Sequence, residues 1–255
     1  MKRLAGLLLV VACCGTVRVA SPEELSAAQI VARHVEARGG AARWREIAAI
    51  EMTGTYSAFS KRSEFRLIRK RGDLFRLDFD LLDSPSVRAR DAEGPWMRHG
   101  LLKPEAGYVG DHPYKAQLER EALFPPVLLD YAARGIGVES LGAGDVDGVA
   151  TLDLKLTFPD GSVETWHLDA LSFLEVAIDS QVVDHTQAGE PMSQRAFFDD
   201  FREVAGLTLP HQVELEFGAR LESMTVVHVD VAPVLDDSSF SPPATAAAGR
   251  ESEKP

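Results

Sequence analysis

Cysteine is nearly absent from this chain. The 255-residue sequence has two cysteines, Cys13 and Cys14, and none follows them. A folded body without cysteine has neither disulfides nor thiol chemistry to support its fold or function. Long apolar runs are also lacking, because the apolar stretch at residues 4–12 is far below the roughly 20 residues of a membrane-spanning helix. We therefore predict a mature chain without a transmembrane segment.

Positive charge is scarce as well. The chain carries 27 basic and 39 acidic residues, which gives a formal net charge of -12. Residues 1–20 contain basic side chains and no acidic ones, so their removal would leave a still more acidic body. Such a body repels phosphate backbones, and this excludes nucleic acid as a partner.

Signatures of catalysis and metal binding are missing too. The sequence has no G-x-S-x-G, no P-loop and no G-x-G-x-x-G, and its seven histidines form neither H-E-x-x-H nor H-x-x-E-H. Asp199 and Asp200 are neighbours in a predicted strand, so their side chains point to opposite faces and cannot share a proton. We predict no catalytic residue, no metal and no cofactor, hence no enzyme. A hydrolase with an unrecognised site is the alternative.

The N-terminus is predicted to be an export signal over residues 1–20. Met1-Lys2-Arg3 is a basic segment, and the short apolar stretch follows it. Val10-Val11-Ala12-Cys13 resembles a bacterial lipobox, in which Cys13 would be lipid-modified. Cys13-Cys14-Gly15 equally fits cleavage by an ordinary signal peptidase. The expected location is the periplasm, with the protein either soluble or anchored to the membrane through Cys13.

Residues 21–243 are predicted to form one domain, and residues 244–255 a disordered tail. A helix is expected to begin at Ser21, which has a capping box with Glu24, and to end at Gly39-Gly40. A second short helix is expected at residues 42–48. Further helices at 114–123 and 127–133 would form an insertion, preceded by a loop at 100–114.

The rest of the chain alternates apolar and polar residues. Phe75, Leu77 and Phe79 alternate with Arg76, Asp78 and Asp80, for example, as expected for a half-buried antiparallel strand. About ten such strands are joined mostly by short turns. The fold class is therefore mainly β (α+β): one antiparallel sheet, closed or half-closed, with an N-terminal helix and a helical insertion.

The apolar strand residues have two interpretations. They are either a packed core or the lining of a cavity, which a concave sheet would enclose and the inserted helices would cover as a lid. The predicted ligand-cavity residues are Phe65, Leu67, Phe75, Leu77, Phe79, Leu154, Leu156, Leu174 and Phe197 on the sheet, and Leu128 on the insertion.

A basic stretch interrupts the acidic sequence. Residues 61–71 hold six basic residues and one acidic residue. This stretch is either a solvated strand edge, which discourages edge pairing, or a docking patch for anionic headgroups or an acidic partner. Arg66, Arg69 and Lys70 are the patch candidates.

Several segments resemble a known family. "AAQIVARHVEARGGAARWREIAAIEMTGTYS" resembles the start of the bacterial outer-membrane lipoprotein-sorting proteins, the LolA-like group. "FFDDFREVAGLTLPHQVELEFG" resembles a late hairpin of that group, and "LDDSSFSPP" its closing segment. The resemblance spans most of residues 26–243, and the order of the motifs is more specific than any one of them.

The resemblance implies a curved antiparallel half-barrel with helices as a lid over an apolar cavity. It implies a cell-envelope protein that binds acyl chains of lipids or lipoproteins, with a role in their sorting to the outer membrane, and no catalytic residue. Arg66 or Arg69 would stand at the cavity mouth. The alternative on the same fold is a protein-interaction or envelope-stress-sensing module, with an envelope protein as partner and no transport activity.

Overall fold

The structure is a computed structural model that describes residues 25–112, 114–183 and 191–243. The predicted export signal, the lipidation candidate Cys13 and the predicted tail at 244–255 lie outside the described residues. Within the described ranges, no helix has the length and apolar character needed to cross a bilayer.

The main element is a single antiparallel sheet of thirteen strands, rather than the predicted ten or so. β6 lies in a segment that was predicted to be a loop. The prediction missed this strand because its residues, among them Lys103, Pro104 and Gly107, do not alternate between apolar and polar. The strands are β1 (Ala49–Ala58), β2 (Lys61–Lys70), β3 (Leu74–Leu81), β4 (Ser84–Asp91), β5 (Gly94–His99), β6 (Lys103–Tyr108), β7 (Gly137–Val146), β8 (Val149–Thr157), β9 (Val163–Asp169), β10 (Glu175–Val183), β11 (Pro191–Val204), β12 (Leu207–Phe217) and β13 (Arg220–Asp230).

Two meanders make up the sheet. β1 to β6 run outward in order on one side, and β13 back to β7 run outward on the other. The first and last strands pair with each other at the centre, with Tyr56 opposite Met224. β6 and β7 are the two edges, so the sheet is curved but not closed.

The helices are short. α1 (Ala27–Ala37) begins after Ser26, which forms a capping box with Gln29 and not the one predicted at Ser21. α2 (Ala41–Glu46) and α3 (Tyr114–Glu121) follow the predictions closely. The helix predicted at 127–133 is reduced to a 3-10 turn, Val127–Leu129, because so short a segment closes too few hydrogen bonds to offset helix nucleation. A second 3-10 turn spans Asp237–Phe240.

The two faces of the sheet are covered differently. The inner face carries α1, α2 and α3. The outer face of β2 to β5 is covered by the segment around Phe240, which is fully buried with Ile68 and Leu74. The Trp96 indole Nε1 donates a 2.7 Å hydrogen bond to the Phe240 carbonyl. The end of the described chain is thus a structural part of the first meander.

The sheet curves so that distant strands face each other. α3 contacts β4 and β5 on one side and β10 on the other, although these strands are far apart in the sheet order. A bulge at Thr53/Gly54 bends the central pair. Gly54 has no room for a side chain there, since a Cβ would lie 1.9 Å from the Thr225 carbonyl oxygen.

The two ends of the sheet are distinct. The turns that follow β1, β3 and β5, at residues 59–60, 82–83 and 100–102, all lie at one end, which we call the open end. The other end, which we call the closed end, is capped by α2. There Arg43 Nε donates to the Ala205 carbonyl (2.8 Å), and Arg71 Nη2 donates to the Trp44 carbonyl (2.8 Å).

Candidate ligand cavity

At the closed end the inner face is filled by side chains. Trp44 and Ile47, on and just after α2, pack against Ile50, Phe124 and Leu209. Under α1, Ile30 and Val31 pack against a second apolar cluster from β8 and β9, which extends to Ile136 and Phe158 at the open end of these strands. Both clusters are ordinary packed core.

A buried ion pair fastens α1 to the sheet. Arg38, at the C-terminal end of α1, binds the carboxylate of Glu175 on β10, and His34 Nε2 lies 3.8 Å from the same carboxylate. Burial lowers the pKa of His34, although Glu175 raises it. The pKa of Glu175 is also lowered, because the attraction of Arg38 and His34 outweighs the effect of burial. Folding therefore favours a charged Glu175 and a neutral His34.

At the open end the inner face is not filled. A cavity of about 310 Å³ lies between the first meander and the β10–β11 pair. Its volume is at the lower end of the range for small-molecule sites, roughly 300–1,000 Å³. Apolar side chains form most of its wall: Tyr56, Phe79, Leu81, Met97, Val182, Met192 and Phe217.

Polar side chains stand along one side of this cavity. Arg88 Nη1 lies 3.3 Å from Glu121 Oε1, and Gln117 Nε2 donates to the same oxygen at 3.1 Å. Arg220 Nε lies 3.6 Å from Glu222 Oε1. We call Arg88, Glu121, Arg220 and Glu222 the polar cluster. Its two guanidinium groups and two carboxylates balance, although Glu121 lies behind the cavity wall and Arg98 is a further lining residue.

Arg88 and two nearby phenols, Tyr114 and Tyr56, each keep one protonation state. Burial disfavours the charge of Arg88, but Glu121, Tyr114 and Glu222 more than compensate, so the pKa of Arg88 is raised. Burial raises the pKa of Tyr114 to about 12. Burial, followed by the negative charge of Glu222, also raises the pKa of Tyr56. Both phenols therefore stay neutral and the guanidinium stays charged at any physiological pH.

α3 bridges the cavity. Through Glu121 it binds Arg88 on β4, and through Arg120 it binds Asp160 (3.1 Å) and Glu164 (3.5 Å) at the β8–β9 hairpin. Tyr114 and Leu118 are its buried residues. The helix is therefore tied to both halves of the sheet and lies over the inner face between them.

The predicted cavity residues fall into three groups. Phe79 lines the cavity. Phe65, Leu67, Phe75 and Leu77 lie on the same inner face beside it, but they are buried against each other and Ala122. Leu154, Leu156 and Leu128 are fully buried under α1. For these seven residues the packed-core interpretation describes the structure.

The remaining two predicted residues need correction. Phe197 is on the outer face, opposite Glu214 and Ala177, and its inner-face neighbours are Ala196 and Phe198. Leu174 precedes β10 and lies in the same outer groove. On β11 the apolar residues 196–198 occur at both parities, and at the start of β10 it is Glu175, opposite Leu168, that faces inward, so the sequence parity assigned Phe197 and Leu174 to the wrong face.

The predicted docking patch is not one surface. Arg66 makes a two-point hydrogen bond with Glu51 (2.9 and 2.7 Å), and Lys70 binds Asp237 at 2.6 Å. Arg69 points to the inner face, where it donates to the Leu123 carbonyl and lies over the Phe75 ring. Burial lowers the pKa of Arg69 to about 10. Because side chains alternate along β2, Arg69 lies on one face of the sheet, whereas Arg66 and Lys70 lie on the other.

The sequence reasoning missed most of the cavity wall. Leu81 and Phe217 are the last inner-face residues of their strands, so extending the alternation to the strand ends would have found them. Met97 and Met192 lie in strands without a clear apolar pattern. Their position follows from the curvature of the sheet, which the sequence pattern does not contain.

Neither the scan against protein-family models nor the search of curated proteins gives a match. Solved structures do resemble this chain. A DUF1329 family protein from Desulfovibrio piger has a TM-score of 0.55 at 13% identity, covering 84% of this chain and 97% of that one. A LolA superfamily protein from Nitrosomonas europaea has a TM-score of 0.54 at 11% identity, covering 85% and 98%.

An outer membrane lipoprotein-sorting protein domain from Vibrio parahaemolyticus has a TM-score of 0.52 at 10% identity, covering 83% of this chain and 94% of that one. At such low identity these likenesses concern the fold. They show that the fold is LolA-like, which confirms the expectation from the sequence motifs.

Proposed function

We propose that this protein binds an acyl chain of a lipid or lipoprotein in the cavity at the open end. The observation that carries the proposal is the contrast within one face: the sheet is tightly packed at the closed end, yet leaves about 310 Å³ of apolar-walled space at the open end. A wall of aromatic and aliphatic side chains favours an apolar ligand.

The energetics favour a hydrocarbon tail. Transfer of each methylene group from water into such a wall contributes about 0.8 kcal/mol. The polar cluster is internally paired, with Arg88 bound to Glu121 and Arg220 beside Glu222. A charged headgroup would have to break these pairs, so it stays at the cavity mouth while the tail enters. The role is binding, without a chemical step.

The proposed setting is the cell envelope. Residues 1–20 have the pattern of an export signal, which supports a periplasmic location, and Cys13 supports a lipid anchor as one of two forms. Two of the structures with the same fold are described as a LolA superfamily protein and a lipoprotein-sorting domain. Sorting of lipids or lipoproteins to the outer membrane is the corresponding proposal for this chain.

A fluorescent fatty acid tests the binding site. Cis-parinaric acid should bind the full chain saturably, with increased emission. Met97→Trp places a larger ring in the cavity and should weaken binding by about tenfold, which corresponds to roughly 1.4 kcal/mol. Leu141→Trp, on the exposed part of edge strand β7, is the control and should bind like the wild type. Absence of saturable binding by the wild type, or equal binding by Met97→Trp, would contradict the proposal.

Native mass spectrometry of protein purified from an envelope fraction identifies the ligand class. A mass increment equal to a lipid or acylated peptide supports the proposal. A bound polypeptide without an acyl chain favours the protein-interaction alternative.

A further inference from the structure

The open end exposes large apolar side chains at three separate turns. Phe59 follows β1, Leu82 follows β3, and Leu101 and Leu102 follow β5. Between 38% and 60% of each residue's surface is accessible. They are four of the eleven large apolar residues classed as exposed in the described ranges, and all four line the mouth of the cavity. We call them the apolar tips.

At two of these tips the residue has a backbone conformation that is unfavourable for a bulky side chain. Phe59 (φ 51°) and Leu82 (φ 52°) adopt left-handed conformations, each followed by a second left-handed residue. Such two-residue turns strongly favour Asn-Gly, Asp-Gly or Gly-Gly, and a bulky side chain at positive φ is uncommon. At the closed end the equivalent turns are Asp147-Gly148 and Ala205-Gly206. The turns after β1 and β3 therefore keep bulky apolar residues where turn chemistry would select small or polar ones. Phe173 (φ 61°) does the same in the closed-end turn before β10, whereas the open-end turn after β12 has Gly218.

Basic side chains flank the apolar tips. Lys61 and Arg62 follow the first turn and Lys103 follows the third, and all three are exposed. Lys61 lies 2.9 Å from Asp83 of the second turn, an exposed pair that contributes little to stability. Exposed acidic side chains, Glu64, Asp80, Asp83 and Glu105, lie on the same strands and turns, so this end carries charges of both signs.

We propose that the apolar tips dock on the surface of a phospholipid bilayer, with the cavity mouth turned toward the acyl chains. The proposal deepens the function above, since it rests on the same cavity. Three isolated apolar points separated by charged residues fit the interfacial layer, where each side chain enters independently and lysines contact anionic headgroups. A folded protein partner would instead favour one continuous apolar patch.

Co-sedimentation with vesicles of phosphatidylethanolamine and phosphatidylglycerol tests the proposal. All proteins carry Cys13→Ala, so that an acyl anchor does not contribute. The combined variant Phe59→Ser, Leu82→Ser, Leu101→Ser and Leu102→Ser should bind about tenfold more weakly or less, because it removes the buried apolar area. Leu171→Ser is the matched control: Leu171 is 90% exposed at the closed end, and its replacement should leave binding unchanged.

Phe59→Trp gives a second readout. Its emission should shift to the blue with vesicles and be quenched by brominated lipid. No shift, equal vesicle binding by the combined variant, or no vesicle binding by the wild type would each overturn the docking proposal. Cis-parinaric acid, measured with the wild type in solution without vesicles, separates the two proposals: failure to bind it would contradict the cavity and leave the vesicle result to be judged on its own.

Discussion

The closed and open ends of the inner face are built from the same strands but have opposite character. At the closed end, α1 and α2 fill the space with apolar side chains and a buried ion pair, Arg38 with Glu175. At the open end, α3 bridges the sheet without filling it, and its ion pair, Arg88 with Glu121, is partly exposed. The α2 cluster is therefore densely packed, whereas the cavity lies at the other end of the inner face.

Removal of one carboxylate at each end should show the largest contrast. Glu175→Gln leaves the Arg38 guanidinium buried without a countercharge and should lower the free energy of unfolding by about 3–5 kcal/mol. Glu121→Gln should cost less, about 1–3 kcal/mol, since Arg88 and Glu121 are 18% and 23% exposed and Glu222 still supports the charge of Arg88. Urea denaturation measures both values. The double variant Glu175→Gln, Arg38→Met should recover part of the loss, and equal losses at the two ends would refute the contrast.

The same leucine-to-alanine change should separate packing from binding. Leu154 is fully buried under α1, so Leu154→Ala should lower the free energy of unfolding by about 2–5 kcal/mol. Leu81 is half-buried in the cavity wall, so Leu81→Ala should cost about 1 kcal/mol. Affinity for cis-parinaric acid should change in the opposite order, falling for Leu81→Ala and not for Leu154→Ala. A loss of affinity in both would place the ligand elsewhere.

Acid should weaken the closed end first. His34 has a lowered pKa in the folded state, so the unfolded chain binds a proton more readily and stability falls as the pH drops below 6.5. Each unit of lowering corresponds to roughly 1.4 kcal/mol. The pKa of Glu175 is lowered too, so its contribution is lost when the pH falls below 4.5.

His34→Gln should remove the first of these two effects. Thermal unfolding midpoints measured on both sides of pH 6.5 check this. If the wild type and His34→Gln lose stability in parallel over that range, another group is responsible.

The sequence predicts the regular part of this fold well, for a physical reason. Strands such as β3 have one face in the core and one in solvent, so apolar and polar residues alternate along their sequence. Edge strand β6 has little to bury and therefore no pattern, so it was predicted as a loop.

The cavity was harder to predict than the sheet. Phe197 was placed on the wrong face because β11 has consecutive apolar residues, Ala196, Phe197 and Phe198, and alternation therefore does not mark its inner face. The predicted lining residues other than Phe79, Leu174 and Phe197 became core, because α1 and α3 pack against them. Helices distant in sequence pack on the apolar face and decide which part of it stays uncovered. The alternation within a strand contains no information about that packing.

The central pairing of β1 with β13 has a consequence for biogenesis. The middle of the sheet cannot form until Arg220–Asp230 is available to pair with Ala49–Ala58. The outer face of the first meander is covered only when Phe240 is present. The Phe240 carbonyl accepts a hydrogen bond from Trp96, which lies 144 positions earlier in the chain. Contacts this remote slow folding. A newly made chain would thus remain unassembled until Phe240 has been delivered, and a chain that stays unfolded for so long suits the proposed export across a membrane.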